Sequence, residues 1–362
     1  MSTSFDRRIS RTVNVGGVMI GGDSPISIQS MTNTDTHDVD ATYSQVMRLA
    51  EAGCDIVRIT APDLESVKTF EALVARGVKV PLVADIHFNH EIAVAVASAG
   101  VSKIRINPGN IGSDENVRRV VEACKANSVP IRIGVNSGSL EKEILKRHGA
   151  PTPAALAESA LYHASLLEKF DFKDIIISVK ASTVTDMIAA NRILAKATDY
   201  PLHLGVTEAG GGSSAIVKSS IGIGALLVEG IGDTVRVSLT DDPVEEIYAA
   251  TEILKALGMA TSPGMDIVSC PTCGRTKIDL IGMLADFKHR ARAEGLDKLN
   301  IKVALMGCVV NGPGEAREAD LGIAGGKGEG LIFKKGEIIR KVEESRLIDE
   351  LISEIKNTYS KN

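Results

Sequence analysis

The run Lys103-Ile104-Arg105-Ile106-Asn107 decides the fold. Its isoleucines mark a strand, yet two cations alternate with them and an amide closes the C-terminal end. The same grammar recurs in both directions along the chain. Upstream stand Pro81-Leu82-Val83-Ala84-Asp85-Ile86, Asp55-Ile56-Val57-Arg58-Ile59-Thr60 and Ile26-Ser27-Ile28-Gln29-Ser30. Downstream come Pro130-Ile131-Arg132-Ile133-Gly134-Val135-Asn136, Asp174-Ile175-Ile176-Ile177-Ser178-Val179-Lys180, Pro201-Leu202-His203-Leu204-Gly205-Val206-Thr207 and Asp233-Thr234-Val235-Arg236-Val237-Ser238-Leu239. Eight short β-branched runs, each followed by an amphipathic stretch often closed by Gly, are the count and rhythm of a (β/α)8 barrel. A doubly wound sheet is the competing architecture, but the chain has no dinucleotide glycine fingerprint, and eight similar units favour closure.

Between the runs, apolar residues recur at three and four positions over 42–52, 90–99 and 116–126, as helices require. The fifth gap is longer, and its surplus, 137–153 with Lys142, Lys146 and Arg147, reads as an extended active-site loop. Residues 11–20 read as a hairpin around Gly16-Gly17, placed to plug the bottom of the barrel. Residues 242–257 read as the last barrel helix, so the barrel domain is expected over 1–257. A linker follows over 258–264, and then an α+β module over 265–362. In that module a helix is expected at 278–294, a strand at 300–305, a meander over 321–342 and a final helix near 345–358.

Composition narrows the function classes. The 362 residues are 44% hydrophobic, ample for a large core plus a small one, and carry a net charge of −5 with no basic run, which argues against a nucleic-acid partner. The polar start MSTSFDRRIS lacks the apolar core of a signal peptide, and no window approaches the roughly 18 apolar residues of a membrane span. A soluble, cytoplasmic protein is expected. Its five cysteines are an odd number, three of them in the last third, which fits a reducing compartment and a metal better than disulfides.

In such barrels function sits at the C-terminal ends of the strands. Those ends carry Arg58 and Thr60, Asp85 and His87, Arg105 and Asn107, Arg132 and Asn136, Ser178 and Lys180, Thr207 and Glu208, Arg236 and Ser238. Cations aimed into a barrel are unfavourable without partners, so a cationic ring in an acidic protein implies an anionic ligand. Arg58, Arg105, Arg132 and Lys180 together suit a diphosphate. Each also has a plainer reading as an outward-facing ion pair. Arg236 reads as structural and His203 as packing, while Cys54 and Cys124 read as buried small hydrophobes. Gly210-Gly211-Gly212 is a turn whose amides could help to hold an anion.

The remaining cysteines form Cys270-Pro271-Thr272-Cys273, then Cys308 in Met306-Gly307-Cys308-Val309-Val310-Asn311-Gly312-Pro313-Gly314-Glu315. A C-x2-C pair clamps one metal from a single turn. A structural zinc site would close with a fourth Cys or a His, and neither lies near. Three soft thiolates with a hard carboxylate suit an iron–sulfur cluster that keeps one iron accessible.

These segments, VSCPTCGRT and ALMGCVVNGPGEAREADLGIAGG, closely resemble the cluster module of the 4-hydroxy-3-methylbut-2-en-1-yl diphosphate synthase family, in its two-domain bacterial form, and the resemblance extends over the whole chain. It implies a TIM barrel followed by a sulfite-reductase-like domain, and a [4Fe-4S] cluster held by Cys270, Cys273, Cys308 and Glu315. It implies reductive conversion of 2-C-methyl-D-erythritol 2,4-cyclodiphosphate to (E)-4-hydroxy-3-methylbut-2-enyl diphosphate in the non-mevalonate isoprenoid pathway, with flavodoxin or ferredoxin as electron donor. By position, Arg58, Arg105, Arg132 and Lys180 would hold the diphosphate. Asn107, Asn136, Thr207 and Ser238 would add hydrogen bonds, and Glu208 would be the acid/base residue, with Asp85 and His87 nearby. The resemblance further implies a homodimer in which the cluster module of one subunit caps the barrel of its partner. Two other readings compete: a zinc-stapled barrel transferase resembling dihydropteroate synthase, and a non-enzymatic iron–sulfur sensor.

Overall fold

The computed structural model describes residues 6–181, 183–261, 264–309 and 316–359. The chain divides into two compact units, Met1–Ala260 and Thr261–Asn362.

The first unit begins with the expected hairpin, β1 (Val13–Val15) and β2 (Val18–Ile20), paired antiparallel. Its turn needs two left-handed residues, and Gly16 and Gly17 supply them at φ +58° and +97°. Val13, Val15 and Ile20 pack on Ile56, Val83 and Ile176, near the starts of three barrel strands, so the hairpin closes the N-terminal end.

Eight parallel strands follow: β3 (Ser27–Met31), β4 (Ile56–Thr60), β5 (Leu82–Asp85), β6 (Lys103–Ile106), β7 (Ile131–Asn136), β8 (Ile175–Lys180), β9 (His203–Leu204) and β10 (Thr234–Val235). They are ordered β8-β7-β6-β5-β4-β3-β10-β9, and a parallel bridge between Ile177 and Leu202 joins the two ends into a barrel. Alternation sorts each strand into two faces. Ile104, Ile106, Ile131, Ile133, Ile177 and Val179 belong to one continuous apolar core with the helices, while Gln29, Arg58, Asp85, Arg105 and Arg132 occupy the other face. β9 and β10 are shorter than their apolar runs predict. At Gly205 a side chain would stand 2.7 Å from the Arg236 carbonyl oxygen and 3.3 Å from Lys180 Cε, so backbone and lysine stem crowd the strand end.

The helices are α1 (Val39–Glu51), α2 (Val67–Ala75), α3 (His90–Ser98), α4 (Asp114–Ala126), α5 (Lys142–His148), α6 (Pro153–Glu168), α7 (Val184–Ala197), α8 (Gly212–Val228) and α9 (Pro243–Ala256). Side-chain caps set several starts: Asp38 before α1, Ser113 before α4, Thr152 before α6 and Asp242 before α9 each accept a backbone N–H of the first turn. The 137–153 surplus is not the open loop expected from its length. It holds a short 3-10 turn and α5, and α6 draws its charges down: Glu158 pairs with Arg147 and, at 2.7 Å, with His148, while Glu141 pairs with His163. His163 Nδ1 also accepts the Gly109 N–H at 3.0 Å, tying the segment to the turn after β6.

The second unit contains a mixed sheet in the order β11 (Asp266–Ser269), β12 (Lys302–Met306), β13 (Leu321–Gly325), β14 (Glu329–Lys334) and β15 (Glu337–Glu343). The first three strands are parallel and the last two run antiparallel. Phe287 of α10 (Leu280–Ala293) and Leu351 and Ile355 of α11 (Leu347–Tyr359) pack on Leu305 and Ile323 to form its core. β11 was not predicted: it is four residues long and half exposed, so it shows no buried run, only the β-branched pair Ile267-Val268. Among the described residues no helix is long and apolar enough to cross a membrane.

Candidate active site

Strand register brings the predicted cations together. Asp85 lies opposite Arg105 on β6, and Arg105 lies opposite Arg132 on β7. Asp85 is 4% exposed and is flanked by Arg105 Nη1 at 3.2 Å, Arg58 Nε at 3.7 Å and His87 Nε2 at 3.8 Å. Burial by itself would raise the Asp85 carboxyl, but Arg58, Arg105 and then Arg132 hold it down at about 2. Arg105 also donates through Nη2 to the Gly134 carbonyl at 3.2 Å, over a residue whose side chain would collide with it.

The other cations are less well compensated. Arg58 turns its Nε and Nη2 to the Met31 sulfur at 3.0 and 2.8 Å, and burial together with Arg236 and Arg105 lowers it to about 10, against the pull of Asp85. Arg132 is 1% exposed, reaches Gln29 Oε1 at 3.4 Å and leaves its Nε without a partner among the described residues. Burial, Arg58 and Arg105 push it below its ordinary value, although a guanidinium stays charged in any protein. Lys180 is depressed by burial and by Arg236, Arg58 and Arg132. Among the described residues, the barrel thus gathers Arg58, Arg105, Arg132 and Lys180 around one carboxylate, Asp85, which contacts only Arg58 and Arg105 of the four. Such a set is electrostatically unfinished, and an anion completes it.

Arg236 is different, as its sequence position suggested. Its Nε and Nη2 both bond Glu246 of α9, at 3.0 and 2.9 Å, and Ser30 Oγ donates to the same carboxylate at 2.7 Å. This is a complete buried ion pair and needs no ligand.

The polar rim is as follows. Asn107 is 3% exposed and both its side-chain heteroatoms lack partners among the described residues. Asn136 lies opposite Lys180 in register. Thr207 and Ser238 are half-buried, and His87 is exposed, with Nδ1 3.2 Å from Arg105 Nη1. Glu208 is exposed and holds the left-handed backbone at φ +53°, a strained conformation for a residue with a side chain and one that functional sites often retain. The glycines after it lead into α8, with Gly211 at its N-cap.

Two further interior residues stand out, of which the sequence reading singled out only His203. Lys103 lies two positions before Arg105 on the same face of β6, is fully buried, and its Nζ has no partner among the described residues. His203, read as packing, is fully buried with both ring nitrogens unpartnered, and burial and then Arg132, Lys180 and Lys103 hold it well below its usual value. The signal was available, since Lys103 repeats at i−2 the inward position of Arg105.

In the second unit, β11 and β12 run parallel with Ser269 opposite Leu305, so Cys270 and Cys308 leave adjacent strands at the same edge. Cys270 Sγ accepts the Gly307 N–H at 3.2 Å. The Arg275 amide, with the Arg275 side chain and the Thr276 amide, lowers the exposed Cys273 thiol, favouring the thiolate that binds metal. Two thiols on one sheet edge and an acidified third within a C-x2-C turn fit an iron–sulfur group in donor chemistry. Among the described residues no group of three or more ligands is gathered tightly enough to hold a single ion, and Glu315 lies outside them. Cys54 and Cys124 are buried, as predicted, and burial pushes both thiols up to about 12.

The fold has distant counterparts. A crystal structure of dihydropteroate synthase from Stenotrophomonas maltophilia matches 69% of this chain and 97% of its own at TM-score 0.51, but with 16% identity, which shows the barrel fold alone. The sequence relatives are far closer. A Clostridium perfringens protein named 4-hydroxy-3-methylbut-2-en-1-yl diphosphate synthase (flavodoxin) is 58% identical over 352 residues, covering 97% of this chain and 99% of its own. A protein of the same name from Fusobacterium nucleatum is 58% identical over 346 residues, covering 95% and 96%. Residues 10–251 match the GcpE TIM-barrel domain and 266–357 the GcpE protein C-terminal domain. With both domains matched in order, and full-length relatives at this identity, the chain belongs to the GcpE family of 4-hydroxy-3-methylbut-2-en-1-yl diphosphate synthases.

Proposed function

We propose that this chain reduces 2-C-methyl-D-erythritol 2,4-cyclodiphosphate with two electrons and a proton to (E)-4-hydroxy-3-methylbut-2-enyl diphosphate and water. The observation that carries this reading is the surplus of cations, Arg105 and Arg132 buried and Arg58 and Lys180 half-buried, around Asp85, the one carboxylate in contact with them among the described residues. A cyclic diphosphate carries two negative charges, and opening the ring frees a phosphate end that gains a third. Fixed cations therefore hold the opened form more tightly than the closed one, which is the differential binding that accelerates a step.

The remaining residues take roles within that frame. Asp85 orients Arg58 and Arg105 so that their outer N–H groups face the anion. Asn107, Asn136, Thr207 and Ser238 hydrogen-bond the phosphoryl and hydroxyl oxygens, and the amides at the start of α8 add donors. Glu208 delivers the proton to the departing hydroxyl, with His87 at the solvent side as its resupply. Cys270, Cys273, Cys308 and Glu315 would hold a [4Fe-4S] cluster, which when bound supplies electrons one at a time. A flavodoxin, the donor named in its relatives, or a ferredoxin would reload it. A cytoplasmic homodimer belongs to the same proposal.

Anaerobic purification with iron and sulfide analysis, followed by turnover with the cyclodiphosphate and reduced flavodoxin, tests this reading. About four irons and four sulfides per chain, with release of the linear diphosphate, support it. A colourless protein holding one zinc after anaerobic reconstitution overturns it.

A further inference from the structure

Beneath the mouth, the barrel interior holds polar groups without partners, most of which the proposed reaction does not use. Ser27 Oγ and Gln29 Nε2 from β3, Lys103 Nζ from β6, Arg132 Nε from β7, both ring nitrogens of His203 from β9 and Thr234 Oγ1 from β10 are all buried without hydrogen-bond partners among the described residues. One such orphan is an oddity. A layer of them, contributed by five strands, is a built feature, because buried polar groups are otherwise almost always paired.

Lys103 is the unusual member. The charges that act on it come from Arg132 and Arg58, and its own charge acts in turn on His203, which Arg132 and Lys180 also influence; Arg236 is already neutralised by Glu246. Asp85 is itself engaged by Arg58 and Arg105. An ammonium at Lys103 would therefore be buried, unpaired and beside two guanidiniums, and releasing its proton is the cheapest relief. The strain is removed once negative charge arrives above it.

We propose that Lys103 is a positioning residue whose amine captures a solvent proton when a diphosphate enters the barrel mouth, so that anion binding and proton uptake are one event. Burial and the Arg132 and Arg58 charges, which hold Lys103 well below its ordinary value, support this. The inference rests on the diphosphate reading of the mouth. It gives the protein a tighter grip on its ligand at neutral pH than above it, and keeps the empty barrel from carrying a further unpaired charge beside Arg132.

Calorimetric titration of the cluster-loaded full chain with the cyclodiphosphate, in two buffers of equal pH and different ionisation enthalpy, measures the protons taken up. Both phosphoryl groups of this ligand are diester-like and fully ionised near neutrality, so any uptake belongs to the protein. Uptake of roughly one proton is expected, lost in Lys103→Met, with affinity weakened roughly tenfold. Lys103→Arg, which stays charged, should bind without uptake and remains informative if the Met variant fails to fold. His203→Asn should leave the uptake in place. Unchanged uptake in Lys103→Met or Lys103→Arg, or its loss only in His203→Asn, overturns the inference alone. If neither the cyclodiphosphate nor inorganic diphosphate binds the unaltered protein, the diphosphate reading falls and this inference with it.

Discussion

The barrel interior and the cysteine edge of the second unit are both built at the ends of parallel strands, yet they are finished to different degrees. In the barrel, strand register fixes Arg58, Asp85, Arg105 and Arg132 before any ligand arrives, and what is missing is negative charge. At the cysteine edge the strands β11 and β12 deliver two thiols to one side, but among the described residues the ligands are not gathered to metal-binding distance. On the proposed function, the two ligands would be received in opposite ways. The anion would meet cations already fixed by strand register, whereas the cluster would itself supply the bonds that draw its ligands together, because ligand deprotonation and local ordering accompany metal binding.

The strongest way to break this comparison is at the cysteines. Cys308→Ser should lose most of the iron and sulfide found in the parent protein, together with the visible absorbance, while the barrel retains its diphosphate affinity. Loss of anion binding in the same variant would show that the two sites are not independent.

Asp85→Asn probes the preorganised site. Removing the carboxylate leaves Arg58 and Arg105 facing each other, so a destabilisation of about 3 kcal/mol is expected in denaturant titration at pH 7. The sign with pH follows from the depressed carboxyl. Its folded value of about 2 lies below the roughly 3.9 of an unfolded aspartate, so its stabilisation is complete above that range and fades as pH falls from about 4 through 2. The parent protein should lose about 2 kcal/mol over this window that Asp85→Asn does not.

Gly134→Ala sharpens the comparison further. The added Cβ would stand 2.3 Å from Arg105 Nε, so the guanidinium must swing away from Asp85. Anion affinity should drop roughly tenfold, about 1.4 kcal/mol, while cluster content is unaffected. The smallest effect is expected at the hairpin plug. Gly17→Ala, at φ +97° with open space for the methyl, should lower stability by about 1 kcal/mol and leave both sites functional.

Much of the molecule was legible in its residues. Eight alternating runs specify a parallel barrel because the apolar face must meet helices and the other face must fill the interior, and Arg105, Arg132 and Asp85 announced a charged interior by standing among isoleucines. The C-x2-C turn and the distant Cys308 pointed to a metal module because thiolates at that spacing have few other uses. Other features stayed hidden for physical reasons. β11 has too little buried surface to leave a pattern, and α5 is short and held by Glu158 and Glu141, contacts no local window contains.

The sequence by itself determined the barrel and the cysteine set and pointed to an anionic ligand, since periodicity, residue chemistry and composition are local properties. Only the tertiary structure decided which cations are satisfied. Arg236 and Arg132 have the same residue type on neighbouring faces of like strands, and Glu246 of a distant helix completes one while nothing described completes the other. The same holds for Lys103 and His203, which become notable when barrel closure buries them together without a carboxylate between them. Partnership is a property of three-dimensional proximity, and strand register, not residue order, assigns it.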